Sequence, residues 1–154
     1  AGGRLFSFGN GRSACDAQHV AVEFLHPVVE KRRPFAACAL TGDLATLTAI
    51  GNDRDFSCVY ADPLRLLSRP GDIALGICTS GKSRNVIRAL QTARERGLCT
   101  IALSGKDAGP LREIAQHCFQ IPSLSIHRIK EVQVVLLHVL WDLVHISLGE
   151  EDVL

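Results

Sequence analysis

Apolar residues along this chain fall into short blocks closed by glycine and polar turns, with longer stretches of helical spacing between them. Leu5 to Phe8 is such a block, ended by Gly9-Asn10-Gly11, and reads as a strand running into a turn. Ser13 then stands as an N-cap before a helix from Ala14 to Leu25. Phe35 to Leu40 is a second strand, and Asp43 caps a short helix to Ile50 that ends in the turn Gly51-Asn52-Asp53. A helix is predicted over Phe56 to Leu67, kinked or divided by Pro63, with a turn at Arg69-Pro70-Gly71-Asp72. Ile73 to Ile77 forms the third strand, Thr79 to Ser83 a loop, and Asn85 to Arg96 a helix that Gly97 terminates. Then come a strand at Leu98 to Leu103, a short helix at Pro110 to Gln116, a last strand at Cys118 to Ile121, and a long helix from His127 to Leu148.

Short apolar strands alternating with helices imply βαβ units, and hence an α/β fold with a parallel sheet covered on both faces. Ligands of such sheets bind beyond the carboxyl ends of the strands, where this chain concentrates its Gly, Ser and Asn loops. No repeat or low-complexity linker interrupts the pattern.

Composition narrows the picture. With 154 residues, 47% of them hydrophobic, one domain with a sizeable core is expected. The 17 basic and 16 acidic residues leave a net charge of +1, with no electrostatic footprint for nucleic acid or an anionic membrane. An anionic ligand must therefore be held locally. No apolar run approaches the ~20 residues of a membrane span, and no signal peptide pattern opens the chain, so a cytoplasmic protein is expected. The six cysteines stand singly without a CxxC pair and read as reduced thiols in a cytosolic interior. Methionine is absent.

Two loops carry anion-binding chemistry. Gly9-Asn10-Gly11-Arg12-Ser13 opens a helix, where backbone N–H groups favour an anion; a plain tight turn is the alternative. Thr79-Ser80-Gly81-Lys82-Ser83 brings hydroxyls, a cation and a helix start together, as a phosphate monoester requires; alternatively Ser83 only caps the helix and Lys82 points to solvent. Residues 76–83 also satisfy GxxxxGK[ST], so a P-loop nucleotide-binding protein is a further reading. Against it, Gly76 belongs to the apolar strand, and no later strand ends in the acidic residue that would hold Mg²⁺.

His19 and Glu23 share one face of the first helix at i, i+4, a spacing that suits a metal, a base beside an imidazole, or a solvated pair. On the last helix Lys130, Val134 and His138 share a side, and His138 among leucines and valines also fits a buried, hydrogen-bonded histidine. His117 and His145 read as helix-end or surface positions.

Taken together, FGNGRSACDAQHVAVEFL, LTGDLATLTAIGND, LGICTSGKSRNVIRAL and RIKEVQVVLLHVLWDLV resemble, in order and spacing, the SIS-domain phosphoheptose isomerases. The resemblance implies a flavodoxin-like three-layer sandwich with a five-stranded parallel sheet. It implies a single SIS domain over 1–154, without the helical segment that family members carry before the first strand. It further implies a homotetramer with shared active sites that converts sedoheptulose 7-phosphate to D-glycero-D-manno-heptose 7-phosphate, with no nucleic acid or membrane partner. By position, Asn10, Gly11, Arg12, Ser13, Gly42, Asp43, Thr79, Ser80, Ser83 and Lys130 would line the phosphosugar site. Glu23 falls on the family's catalytic carboxylate and His138 on its catalytic histidine. Some members hold zinc through four residues, of which His19, Glu23 and His138 stand here; the fourth is Lys130, whose ammonium repels a cation. Further departures are Arg12 for a glycine, Cys78 for a serine, Lys82 for an asparagine and Pro27 for an arginine. A non-catalytic SIS protein that regulates a partner, as bacterial proteins bound to the replication initiator do, is the second reading. Those relatives lack the carboxylate and the histidine that this chain keeps.

Overall fold

The computed structural model describes residues 2–28 and 32–150. Strands β1 (Leu5–Gly9), β2 (Ala37–Ala39), β3 (Ile73–Cys78), β4 (Cys99–Gly105) and β5 (His117–Ile121) form a 5-stranded sheet in the order β2-β1-β3-β4-β5, with every pair parallel. The connecting helices are α1 (Arg12–Leu25), α2 (Leu44–Asp53), α3 (Ala61–Leu67), α4 (Arg84–Glu95), α5 (Leu111–Ile114) and α6 (Ile126–Ser147). This strand order is that of flavodoxin-like sheets.

Alternation along the strands builds two cores. On β3, Ala74 and Cys78 pack with Val86, Ala89 and Leu90 of α4, whereas Leu75 and Ile77 pack with Ala17 and Val20 of α1 and Leu137 of α6. Both faces of the sheet are thus covered, which is why its central strands read as unbroken apolar runs.

Several boundaries differ from the sequence reading for local reasons. Helix α1 begins at Arg12, because Gly11 caps it with a left-handed φ of 55°; Ser13 is no cap but lies buried inside the first turn. Helix α2 runs through Gly51 to Asp53 instead of ending at Ile50. The Phe56 to Leu67 segment divides into a 3-10 turn (Phe56–Cys58) and α3, but the break falls before Pro63, which sits in the first turn of α3 where its missing N–H costs nothing. His145 is fully buried rather than at the surface: Phe24, Phe35 and Trp141 enclose its ring, and its Nδ1 meets Glu150 Oε2 at 2.7 Å. Cys15 and Cys38 are exposed, so the cysteines are not uniformly interior, although all six are free. Among the described residues no helix is long and apolar enough to cross a membrane.

Candidate active site

The chain leaves β1 for one side of the sheet, to β2, and later enters β3 on the other, so the topological switch point lies between β1 and β3. The loops leaving these two strands are the two anion-binding candidates, Asn10 to Ser13 and Thr79 to Ser83. They meet in a cleft of about 370 Å³ lined by Asn10, Gly11, Arg12, Ser13, Thr79, Ile126 and Lys130. Tyr60 donates from beneath to the Gly9 carbonyl at 2.6 Å. Burial pushes its hydroxyl up to about 12, so it stays a donor at neutral pH.

In the second loop Gly81 adopts φ 70° against the β4–α5 connection, and a Cβ there would lie 2.4 Å from the Ala108 carbonyl. The Cys78 thiol, at the end of β3, donates to Ser83 Oγ at 3.2 Å and contacts Ser80 Oγ at 3.5 Å. Burial alone would raise this thiol, but the hydrogen bonds with Ser80 and Ser83 hold it below the ordinary thiol range. Ser83 makes no side-chain cap to α4, so its hydroxyl faces the loop. Lys82 does point to solvent, 3.9 Å from an equally exposed Asp107. Gly76 is a core position of β3, where a Cβ would meet Leu90 Cδ1 at 2.9 Å. The P-loop consensus is therefore half strand, and its first glycine cradles no phosphate.

Lys130 closes the cleft from α6. Its ammonium donates to Ser13 Oγ (3.3 Å), to Gln133 Oε1 (3.1 Å) and to the Asp16 carboxylate, so all three of its N–H groups are engaged. Gln133, itself buried, ties this network to the sheet by donating to the Leu103 carbonyl at 3.1 Å.

A second cluster lies farther along the same two helices. His19 Nε2 is 3.2 Å from Glu23 Oε1 and 3.3 Å from His138 Nε2, with the two imidazoles edge to face. Only one hydrogen can lie on His19 Nε2, so it serves one neighbour at a time. A carboxylate on α1 and an exposed imidazole on α6 are thereby joined through the ring of His19. His138 is not the buried histidine that its leucine-rich surroundings suggest.

The SIS-domain family profile matches residues 1–105 of this chain. The phosphoheptose isomerase of Aquifex aeolicus is 46% identical over 143 residues, 93% of this chain and 75% of that protein. The structure superposes on the phosphoheptose isomerase of Neisseria gonorrhoeae with a TM-score of 0.85 at 40% identity, covering 91% of this chain and 74% of that one. For the Francisella tularensis enzyme the TM-score is 0.89 at 36% identity, over 94% and 77%. This chain belongs to the SIS-domain phosphoheptose isomerases.

As a member of that family it is an isomerase, and the metal set implied for some members can be held against its residues. His19, Glu23 and His138 do converge, but only through His19 Nε2, and among the described residues no group of three His, Cys, Asp or Glu could hold a metal ion. Lys130, at the remaining ligand position, lies about 12 Å along α6 from His138, with its charge committed to Asp16. With a cation in the fourth position the zinc set is incomplete here, and no step is routed through a metal. Gly42 and Asp43 follow β2, on the same edge of the sheet but one strand away, and do not line the cleft. The Asp43 carboxylate is occupied as the α2 cap: hydrogen bonds from the Thr46 hydroxyl and N–H lower it below the usual carboxylate range.

Around the cleft stand further polar residues that the sequence motifs do not point to. Asp16, Asn85, Tyr60 and Gln133 are all buried and all bind polar atoms at or behind the cleft. One signal was legible: Ser13 and Asp16 share a helix face at i, i+3, pointing toward the side where α6 packs.

Proposed function

We propose that this chain interconverts the ketose and aldose forms of a seven-carbon sugar phosphate, sedoheptulose 7-phosphate and D-glycero-D-manno-heptose 7-phosphate. The observation that carries the reading is the contact of His19 with both Glu23 and His138, which draws a base and an acid together from α1 and α6. The phosphate is held by Thr79, Ser80 and Ser83, and the polyol by the Asn10 to Ser13 loop. Glu23 takes the proton from C1 while His138 protonates the C2 oxygen, giving an enediol. Glu23, whose captured proton exchanges with solvent, then delivers a proton to C2, and the C1 hydroxyl proton passes back to His138, so the enzyme ends as it began.

A homotetramer with shared sites suits the surface. Val132, Val135, Val139 and Leu143 form an exposed apolar stripe on α6 beside His138, continued by Val22 and Leu25 of α1. A neighbouring subunit would cover this stripe and bring one chain's carboxylate and imidazole over the other's phosphate loops. The regulatory reading is disfavoured by the joint presence of Glu23 and His138 and by their shared contact with His19.

Incubating the protein with sedoheptulose 7-phosphate and following the aldose by NMR tests the proposal. Turnover is expected for the wild type, with a loss of at least about 100-fold in Glu23→Gln and in His138→Asn. Absence of product from the wild type, or undiminished turnover in Glu23→Gln, would refute the mechanism.

A further inference from the structure

Asn10 and Asn85 clasp each other across the switch point. Asn10 Nδ2 donates to Asn85 Oδ1 at 2.8 Å, and Asn85 Nδ2 donates to Asn10 Oδ1 at 2.7 Å. The amide orientations are not arbitrary. Val86 N–H donates to Asn85 Oδ1 at 3.0 Å, which identifies that atom as the oxygen and thereby fixes both amides of the pair. Tyr60, 2% exposed, closes the ring from below, with its hydroxyl 2.6 Å from the Gly9 carbonyl and 3.3 Å from Asn10 Oδ1.

Counting donors and acceptors shows what the clasp leaves over. Both lone-pair directions of Asn85 Oδ1 are taken, by Asn10 Nδ2 and by Val86 N–H, and each amide nitrogen retains one unused hydrogen. Asn85 is itself 2% exposed and lines no cleft wall, whereas Asn10 does. Asn10 therefore offers the cleft one N–H donor at a fixed position. The Val86 N–H, moreover, is the helix-start donor that a capping Ser83 would ordinarily satisfy. Because Asn85 satisfies it, Ser83 makes no side-chain cap, and its hydroxyl, which accepts from the Cys78 thiol, keeps its own hydrogen for the loop.

We infer that Asn85 is a positioning residue for ligand binding: by clasping Asn10 and taking over the cap of α4, it fixes the separation of the two ligand loops and frees Ser83. The inference rests on the reading that these loops hold the phosphosugar. Tyr60 supports the same clasp from the far side without reaching the ligand. Both residues should affect how tightly a phosphate is held more than how fast a bound sugar reacts.

The test is calorimetric binding of inorganic phosphate, with KM and kcat for sedoheptulose 7-phosphate and the melting temperature measured on the same preparations. Asn85→Ala is expected to raise the phosphate dissociation constant and KM about tenfold, with kcat within about threefold. Tyr60→Phe, which keeps the ring in the core, is expected to move both binding constants a few-fold in the same direction. Asn10→Ala/Asn85→Ala should lose less phosphate affinity than the sum of the two single losses, because either loss opens the same clasp while only the loss of Asn85 also lets Ser83 return to the cap. A lowered melting temperature with unchanged phosphate affinity and KM in Asn85→Ala and Tyr60→Phe would make the clasp merely structural and overturn the inference. So would additive losses in the double variant. If the wild type binds phosphate without turning over the sugar, the isomerase reading falls while the calorimetric comparison still decides the clasp.

Discussion

Replacing Asp16 by alanine removes the one charged partner, among the described residues, of a lysine that is itself nearly enclosed: the Lys130 and Asp16 side chains are 12% and 11% exposed. The ammonium would keep Ser13 and Gln133, both neutral, and would face a cleft already bordered by Arg12. Breaking a buried pair from one side leaves an uncompensated charge, at a cost of about 3–5 kcal/mol; residual solvent access favours the lower end, about 3 kcal/mol. For a chain of this size that corresponds to a drop of about 6–12 °C in melting temperature. Asp16→Asn/Lys130→Gln removes both charges while retaining hydrogen-bonding groups, and should recover to within about 1 kcal/mol of the wild type. Urea denaturation of the wild type, Asp16→Ala, Asp16→Asn, Lys130→Gln and the double variant at one fixed concentration reads this directly, since oligomerisation would otherwise shift the midpoints. If Asp16→Ala cost less than about 1 kcal/mol, or the double variant lost the sum of two single losses, the pair would not be the coupled element described.

Other expectations are more local. Gly81→Ala should destabilise the phosphate loop by at least about 1–3 kcal/mol and weaken phosphate binding, because φ is 70° there and the new Cβ would meet the Ala108 backbone at 2.4 Å; an unaffected melt would refute it. Lys82→Ala should leave phosphosugar turnover within about twofold, since its pairing with Asp107 is exposed; ATP hydrolysis abolished by the same change would instead revive the P-loop reading. Burial works against the Asp72 carboxylate, but the Arg4 side chain and N–H and the Arg69 N–H donate to it, holding it below the usual carboxylate range. Its stabilising contribution is thus fully present above the ordinary carboxylate pKa and lost as pH falls through the lowered one. Asp72→Asn should flatten that acid limb in urea midpoints taken from pH 5 downward, and an unchanged limb would contradict the assignment.

The strands, the long helix and the two glycine loops after β1 and β3 were legible because each rests on local signals: apolar blocks, glycine turns and capping residues. The motifs that resemble the family also single out Glu23 and His138, whose common neighbour in the structure is His19. What escaped depends on contacts between distant segments. Asp16 and Gln133 look like ordinary polar residues of amphipathic helices until α1 and α6 pack together and Lys130 is set between them. Asn85 looks like a solvated first-turn residue, and only the closeness of β1 to β3 gives its amide a partner. Ser13 has the composition of a cap, but the left-handed Gly11 starts the helix earlier and turns that hydroxyl inward. His145 sits near the end of α6 as a surface histidine would, yet the aromatic side chains of Phe24, Phe35 and Trp141 enclose it.

Proton transfer through an enediol leaves a mark that no binding protein can imitate. Incubating the wild type with sedoheptulose 7-phosphate in D₂O and reading the recovered sugars by NMR should reveal deuterium at C2 of the aldose and at C1 of the ketose, both lost in Glu23→Gln. Full aldose formation with no deuterium in either sugar, or labelling that persists in Glu23→Gln, would contradict Glu23 as the exchanging base.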